Sequence, residues 1–347
     1  MGIRRLIQLP EQIWKKFHSQ GLILLYHRVA TLDTDPQLLS VTPEHFSRHL
    51  EYLSEYYNPI SLSELQRAME VGKIPDKSVV VTFDDGYADN FQNAKPILEK
   101  YGIPATVFVT SGYVGSEREF WWDDLERLLL LPDQLPDQLE LTINGKTWNW
   151  DLTRDPEKII KQGHETKSKS WNVTLSSDPD PQYTVYRDLH KLLKPISHEE
   201  QESILSILAE WSGVSGTGRA THRSLSLKEL NQLDRGRLIE IGAHTMTHSM
   251  LSMQPEAAQK EEIIQGKLSL ERMLGHQVHT FSYPYGGKID FNKTTVKIVR
   301  KAGIDTACAN YGSTFIKKVD PYRLPRVLVR DWDLQVFSYN IGKWFNE

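Results

Sequence analysis

Val79-Val80-Val81-Thr82-Phe83-Asp84-Asp85-Gly86-Tyr87 places two adjacent carboxylates and a glycine at the end of an apolar, β-branched run. Such a run reads as a buried strand, and in a sheet-based enzyme the residues just past the strand end enter a cleft. Adjacent acids repel, so a compensating charge is needed, and a bound cation is the simplest one. The rest of the chain is therefore read for further ligands and for the framework that would bring them there.

Working outward, the order is strand, helix, strand. Leu22-Ile23-Leu24-Leu25-Tyr26 is a short apolar strand ending at His27-Arg28, after an expected first helix. Helices are expected over 43–56, with Phe46, Leu50 and Leu53 on one face, and from about Ser61, with Ser63 as cap. Asn93 to Tyr101 reads as a helix closed by Gly102, and Ala105 to Val109 as a strand. The rhythm resumes with a strand at 238–242, a helix over 255–274, a strand at 278–283, a helix over 292–302 and strands at 304–309 and 327–329. Alternation of this kind argues for an α/β fold with a buried parallel core.

Residues 115–225 interrupt the rhythm. They hold Phe120-Trp121-Trp122-Asp123-Asp124-Leu125, an expected hairpin over 139–148 with an Asn144-Gly145 turn, a polar loop over 161–180 and a helical region over 183–210. We read them as a mostly helical subdomain inserted into one catalytic unit spanning 1–347.

Composition excludes several function classes. The 347 residues are 39% apolar and 25% charged, with a formal charge of −4, which gives no electrostatic case for a nucleic acid polymer as partner. Cys308 is the single cysteine, so an internal disulfide or a thiolate metal cluster is ruled out, and its run reads as buried strand. The first 20 residues lack a long apolar stretch, so neither a conventional signal peptide nor a spanning helix is expected there. The expected location is the cytoplasm, with a peripheral amphipathic contact to a membrane left open. Oligomeric state is not legible.

Gly242-Ala243-His244-Thr245-Met246-Thr247-His248 is the second signal. If a helical turn begins at Thr245, the two imidazoles face one side. Two neutral imidazoles and one carboxylate make a three-ligand set for a divalent metal with an open position, Zn²⁺ first and Co²⁺, Ni²⁺, Mn²⁺ or Fe²⁺ as alternatives. One acid can ligate while the other accepts a proton from the attacking water, and sequence order does not say which. The third signal, Thr280-Phe281-Ser282-Tyr283-Pro284-Tyr285-Gly286-Gly287, runs a strand into a constrained turn that can present a backbone N–H to an oxyanion.

In this order, Thr82-Phe83-Asp84-Asp85-Gly86, His244-Thr245-x-x-His248 and Tyr283-Pro284-Tyr285-Gly286 resemble the polysaccharide deacetylase family, over about 20–115 and 225–330. The resemblance implies a distorted (β/α)7 barrel with the site at the C-terminal ends of its strands. It implies Asp84 as general base, Asp85, His244 and His248 as metal ligands, Thr245 as a support for the histidine loop, and the Tyr285 N–H as oxyanion donor. The implied reaction is hydrolysis of the N-acetyl group of a GlcNAc-type sugar to amine and acetate. Without a leader, the expected substrate is an acetylated amino-sugar glycan or its lipid- or nucleotide-linked precursor. An N-formyl or O-acetyl group on the same site, or a non-catalytic carbohydrate-binding relative, are the alternatives.

Two departures bear on the site. Ser282 stands where many members carry an arginine, and Arg326, in Tyr322-Arg323-Leu324-Pro325-Arg326, is the candidate cation for Asp84. The late Leu-x-x-His motif that supplies the general acid is missing, since no histidine follows His279. His27 is the candidate acid from the first strand end, and His279 reads as structural. Trp121, Trp122 and Trp332 are candidates for stacking on sugar, His222 and Arg223 for peripheral contact, and Glu240 for support of the second motif.

Overall fold

The structure is a computed structural model and describes residues 20–153, 170–236, 238–312, 315–316 and 319–346. The expected N-terminal helix and residues 161–169 of the expected 161–180 loop lie outside the described residues.

Seven strands among the described residues form a parallel wall: β1 (Gln20–Tyr26), β2 (Ser78–Phe83), β3 (Ala105–Val109), β4 (Ile239–Ala243), β5 (Thr280–Ser282), β6 (Thr306–Cys308) and β7 (Val327–Leu328). Pairing runs β6-β5-β4-β3-β2-β1, and β7 pairs in parallel with the other side of β1 through Leu24 with Val327 and Leu25 with Leu328. The chain just before β7 bonds β6: the Leu324 N–H donates to Ala307 O, and the Ala309 N–H to Leu324 O. The 321–329 segment thus carries the wall round from β6 to β1, giving the expected (β/α) barrel. Asn58–Pro59 and Phe315–Ile316 add short pairings to β2 and β1.

Strand alternation sorts the side chains into two layers. Leu22, Leu24, Tyr26, Val79, Val81, Phe83, Val107 and Val109 join the core between wall and helices. Ile23, Val80, Phe108, Cys308 and Leu324 form a separate buried cluster inside the barrel, with Leu62 and Leu65 beneath. Extending the inner parity in steps of two leads from Val80 to Thr82 and Asp84, and from Leu324 to Arg326. The register of the barrel therefore selects which polar residues can meet.

The helices follow local signals. Thr42 caps Pro43–Tyr56, accepting from the His45 N–H, and Gly102 closes Lys95–Tyr101 in the left-handed region at φ 63°. Ser61, not Ser63, caps Leu62–Glu70, because Glu64 three residues on completes a capping box with it. The expected 255–274 helix is interrupted by a π-helical turn at Glu261–Gln265, and another, Asn90–Ala94, precedes Lys95–Tyr101. A closing helix, Leu334–Asn346, was not expected. Its signal is Asp333, whose carboxylate accepts the Val336 N–H, with Phe337 and Ile341 buried four apart. No helix among the described residues is long and apolar enough to cross a membrane.

Residues 115–225 contribute Trp121–Leu129, a hairpin of Gln138–Ile143 with Lys146–Asp151, and helices Pro181–Leu193 and His198–Ser212. Asn144 and Gly145 turn the hairpin at φ 50° and 72°. Their buried apolar side chains, from Phe120 to Leu208, make a core of their own that Tyr87 and Tyr113 join from the barrel side.

Candidate active site

Asp84 follows β2 on the inner parity, 4% exposed. Its two oxygens are gripped by Arg326, Nη1 to Oδ1 at 2.7 Å and Nη2 to Oδ2 at 2.6 Å. The Ser282 hydroxyl donates to Oδ2 at 3.1 Å, and Arg326 Nη2 also donates to Ser282 at 2.7 Å. Arg326 is fully buried and anchored further by Thr82 Oγ1 and Ala309 O. Burial raises the Asp84 pKa, but the Arg326 charge and its hydrogen bonds outweigh that and hold it below the usual carboxylate value. The guanidinium of Arg326 thus pairs with Asp84, and the Ser282 hydroxyl bonds both groups.

Asp85 breaks the alternation. Its φ is 74° and that of Gly86 is 84°, so the chain turns in the left-handed region directly after Asp84. Gly86 is required there: a Cβ would meet Val109 Cγ1 at 3.1 Å at a φ that side chains disfavour. Asp85 consequently shares the cleft with Asp84 rather than facing away. Its Oδ1 lies 3.3 Å from His248 Nε2 and 3.5 Å from His244 Nε2. Burial opposes ionisation, yet the two imidazoles hold its pKa well below the ordinary value.

The two histidines do not sit on a helical turn. After β4 the chain forms a loop in which Thr245 (φ 65°) and His248 (φ 64°) are both left-handed. Three groups hold this strained loop. The Thr245 hydroxyl accepts the His248 N–H at 3.0 Å, and the Thr245 carbonyl accepts the Ser111 N–H. The Glu262 carboxylate, on the Glu261–Gln265 π turn, accepts the N–H groups of Met246 and Thr247 and the Thr247 hydroxyl. His244 Nδ1 lies 2.8 Å from Ser282 O, which can only accept, so Nδ1 carries the proton and Nε2 is left as a lone pair facing the acids. His248 packs edge-on against Trp122 and Tyr285, each ring centroid 4.7 Å away.

Asp85, His244 and His248 offer ligand atoms within 4.8 Å of one another, all three buried. Asp85 Oδ1 and His244 Nε2 are buried without a hydrogen-bond partner, the state of atoms waiting for a ligand rather than of a satisfied network. One carboxylate oxygen and two imidazole nitrogens fit a divalent transition metal. A second buried group, Asp123, Glu126 and His222, is as closely spaced, but its acids already have partners. Tyr87 donates to Asp123 Oδ2, Arg219 pairs with Glu126, and Thr34 donates to Glu126. It ties the 115–225 segment to the barrel.

A cleft of about 240 Å³ opens over the acids. His27 lines it, with Nδ1 lacking a partner and its carbonyl held by the Asn90 amide. Burial lowers the His27 pKa, against the pull of Asp85 and Asp84. Tyr285 lines it too, at φ 60°, and its hydroxyl accepts from Trp121 Nε1. Gly286 follows because a Cβ would meet Asn310 N at 2.7 Å. Trp122 forms part of the wall, while Trp121, 1% exposed, is a core anchor behind it. Sequence reasoning missed His190, Lys194, Asp290 and Arg330, which also line the cleft. Lys194 follows helix Pro181–Leu193, pairs with Asp290 at 2.8 Å and lies over the Tyr285 ring. No local motif marks these residues; only the docking of the inserted helix brings His190 and Lys194 there.

The remaining candidates lie elsewhere. Trp332 packs on the core and the Trp344 ring, its carbonyl accepting from His49. His222 belongs to the Glu126 network, Arg223 pairs with Glu229, and Glu240 accepts from Ser63 and Thr106. Exposed His279 pairs with Asp305.

The polysaccharide deacetylase family profile matches residues 72–198 and 216–307. A poly-beta-1,6-N-acetyl-D-glucosamine N-deacetylase of Staphylococcus epidermidis is 28% identical over 172 residues, 46% of this chain and 56% of that protein. The chain spans about half the length of the curated relatives it matches. Among solved structures, the Streptococcus pyogenes deacetylase PplD in complex with acetate has a TM-score of 0.57 at 16% identity, covering 93% of this chain and 99% of that one. IcaB from Ammonifex degensii has a TM-score of 0.56 at 17% identity, covering 95% and 98%. At such identities these likenesses establish the fold.

Proposed function

The chain belongs to the polysaccharide deacetylase family, and on that premise we propose that it hydrolyses the N-acetyl group of a GlcNAc-type sugar, in a glycan or glycan precursor, to free amine and acetate. The observation that carries the reading is the division between two neighbouring acids. Arg326 takes both oxygens of Asp84, whereas Asp85 Oδ1 has no hydrogen bond and faces two imidazoles.

Asp85, His244 and His248 are the residues that would hold a divalent ion, Zn²⁺ by preference for this donor set, and the ion would polarise the acyl oxygen and acidify water. Asp84 stays ionised through Arg326 and takes the proton of the attacking water. Arg326 and Ser282 fix the orientation of that carboxylate. The Ser282 carbonyl fixes the His244 tautomer, and the Thr245 hydroxyl fixes the His248 backbone. We assign the Tyr285 N–H to the oxyanion that develops on the acyl group. His27 shares the cleft and, as a neutral imidazole, can pass a proton from Asp84 to the leaving amine. Residues 115–225 act in this reading as a wall of the same catalytic unit.

Acetate release measured over GlcNAc oligomers, nucleotide-linked GlcNAc and lipid-linked GlcNAc tests the assignment. At least one class is expected to release acetate in step with free amine. Absence of acetate from all three in metal-loaded protein contradicts it.

A further inference from the structure

Among the described residues, charge in the cleft is matched pair by pair, with one exception. Asp84 has Arg326, Asp290 has Lys194, and Asp85 faces the two imidazoles. Arg330 lines the same cleft and makes no ion pair among the described residues. Its Nη1 donates instead to two backbone carbonyls, Gln37 O at 2.9 Å and Leu38 O. Those carbonyls belong to a built loop. Asp35 accepts the N–H groups of Leu39 and Ser40 through its two oxygens, and Leu38 is held left-handed at φ 55°. Gln37 and Leu39 from that loop line the cleft beside Arg330. Burial works against the guanidinium charge, and Asp35 supports it from beyond ion-pair distance. A partly desolvated guanidinium whose Nε and Nη2 make no hydrogen bond among the described residues is suited to a planar or tetrahedral oxyanion.

Resting on the deacetylase reading, we propose that the sugar taken by this cleft carries an oxyanion, a phosphoester or a carboxylate, on or next to the reacting acetamido residue, and that Arg330 binds it. The size of the cleft agrees. At about 240 Å³ it lies below the ~300 Å³ end of small-molecule pockets, room for about one sugar residue and its substituent. Arg330 and the two acids line that one cleft, so an oxyanion held by Arg330 shares it with the reacting acetamido group. Carbonyl contacts alone would make Arg330 a latch for the loop, and charge at this position separates the two roles.

The test compares three acetamido sugars with the wild type, Arg330→Gln and Arg330→Lys. One is a neutral GlcNAc disaccharide, one a GlcNAc phosphoester, and one a disaccharide of GlcNAc with a uronic acid. The wild type is expected to favour one anionic sugar over the neutral one by about tenfold in kcat/KM, carried by KM. The anionic sugar with the larger ratio identifies the oxyanion. Arg330→Gln is expected to bring that ratio to about one, while Arg330→Lys retains part of it, since lysine keeps the charge but not the two-carbonyl clamp. Equal handling of all three sugars by the wild type, or a preference that survives Arg330→Gln, overturns the proposal. If no sugar releases acetate, the hydrolase reading fails on its own. Calorimetric binding of the same sugars then judges Arg330 by the same ratios.

Discussion

Two neighbouring carboxylates acquire different chemistry because their surroundings differ at the level of single atoms. Asp84 meets a guanidinium that satisfies both oxygens, and Asp85 meets two imidazoles, with no hydrogen bond to its Oδ1. The role of Arg326 follows from the sign of its effect. It lowers the Asp84 pKa, so the basic form persists to lower pH, and the acid limb of kcat/KM should lie below the ordinary carboxylate range. Arg326→Gln removes the charge and leaves a buried carboxylate with one fewer partner, so that limb should move upward. Turnover near neutral pH should fall by about 10²-fold or more, with a stability loss of roughly 3 kcal/mol. A pH–rate profile with the limb unmoved would show that Arg326 is not what keeps Asp84 ionised.

At the scale of elements, the site depends on loops held from behind by helices. The histidine loop has two left-handed residues and would not keep that shape alone. Glu262 reaches it from a π turn, and Gly266, first residue of the next helical stretch, packs directly on its backbone. A Cβ at Gly266 would lie 2.7 Å from Thr245 C and 2.8 Å from Met246 N, atoms that cannot swing aside. Gly266→Ala is therefore expected to weaken metal binding by about tenfold and to cost roughly 1–3 kcal/mol, although it touches no ligand. Unchanged metal affinity in a metal titration would contradict this. The sequence showed a continuous amphipathic helix over 255–274 but not its π turn, because apolar spacing does not record where one carboxylate must reach. For the same reason the His244–His248 spacing suggested a helical turn where the chain forms a loop. Both residues still converge, since the convergence comes from φ values rather than from helical periodicity.

For the whole molecule, the barrel was legible because buried parallel strands write themselves as apolar runs, and the order of Asp84-Asp85, His244-x-x-x-His248 and Tyr285-Gly286 follows the order of strand ends. Arg326 was legible as a candidate from a missing charge at Ser282, and the inner parity of the wall explains how residues 242 positions apart in the chain meet. The far side of the cleft was not legible. His190 and Lys194 arrive through the docking of a segment with its own apolar core, and Arg330 through a loop whose shape depends on Asp35. Long-range placement of that kind leaves no local pattern. What unites barrel and segment is the claim that one acid holds a metal and its neighbour does the proton chemistry. Metal content measured beside acetate release, in the wild type, Asp84→Asn and Asp85→Asn, tests that claim most directly. Asp84→Asn is expected to keep about one metal per chain and lose turnover by at least about 10²-fold, and Asp85→Asn to lose the metal itself. An Asp84→Asn protein that matches the wild type in both metal content and acetate release, or an Asp85→Asn protein that keeps its metal, would contradict the account.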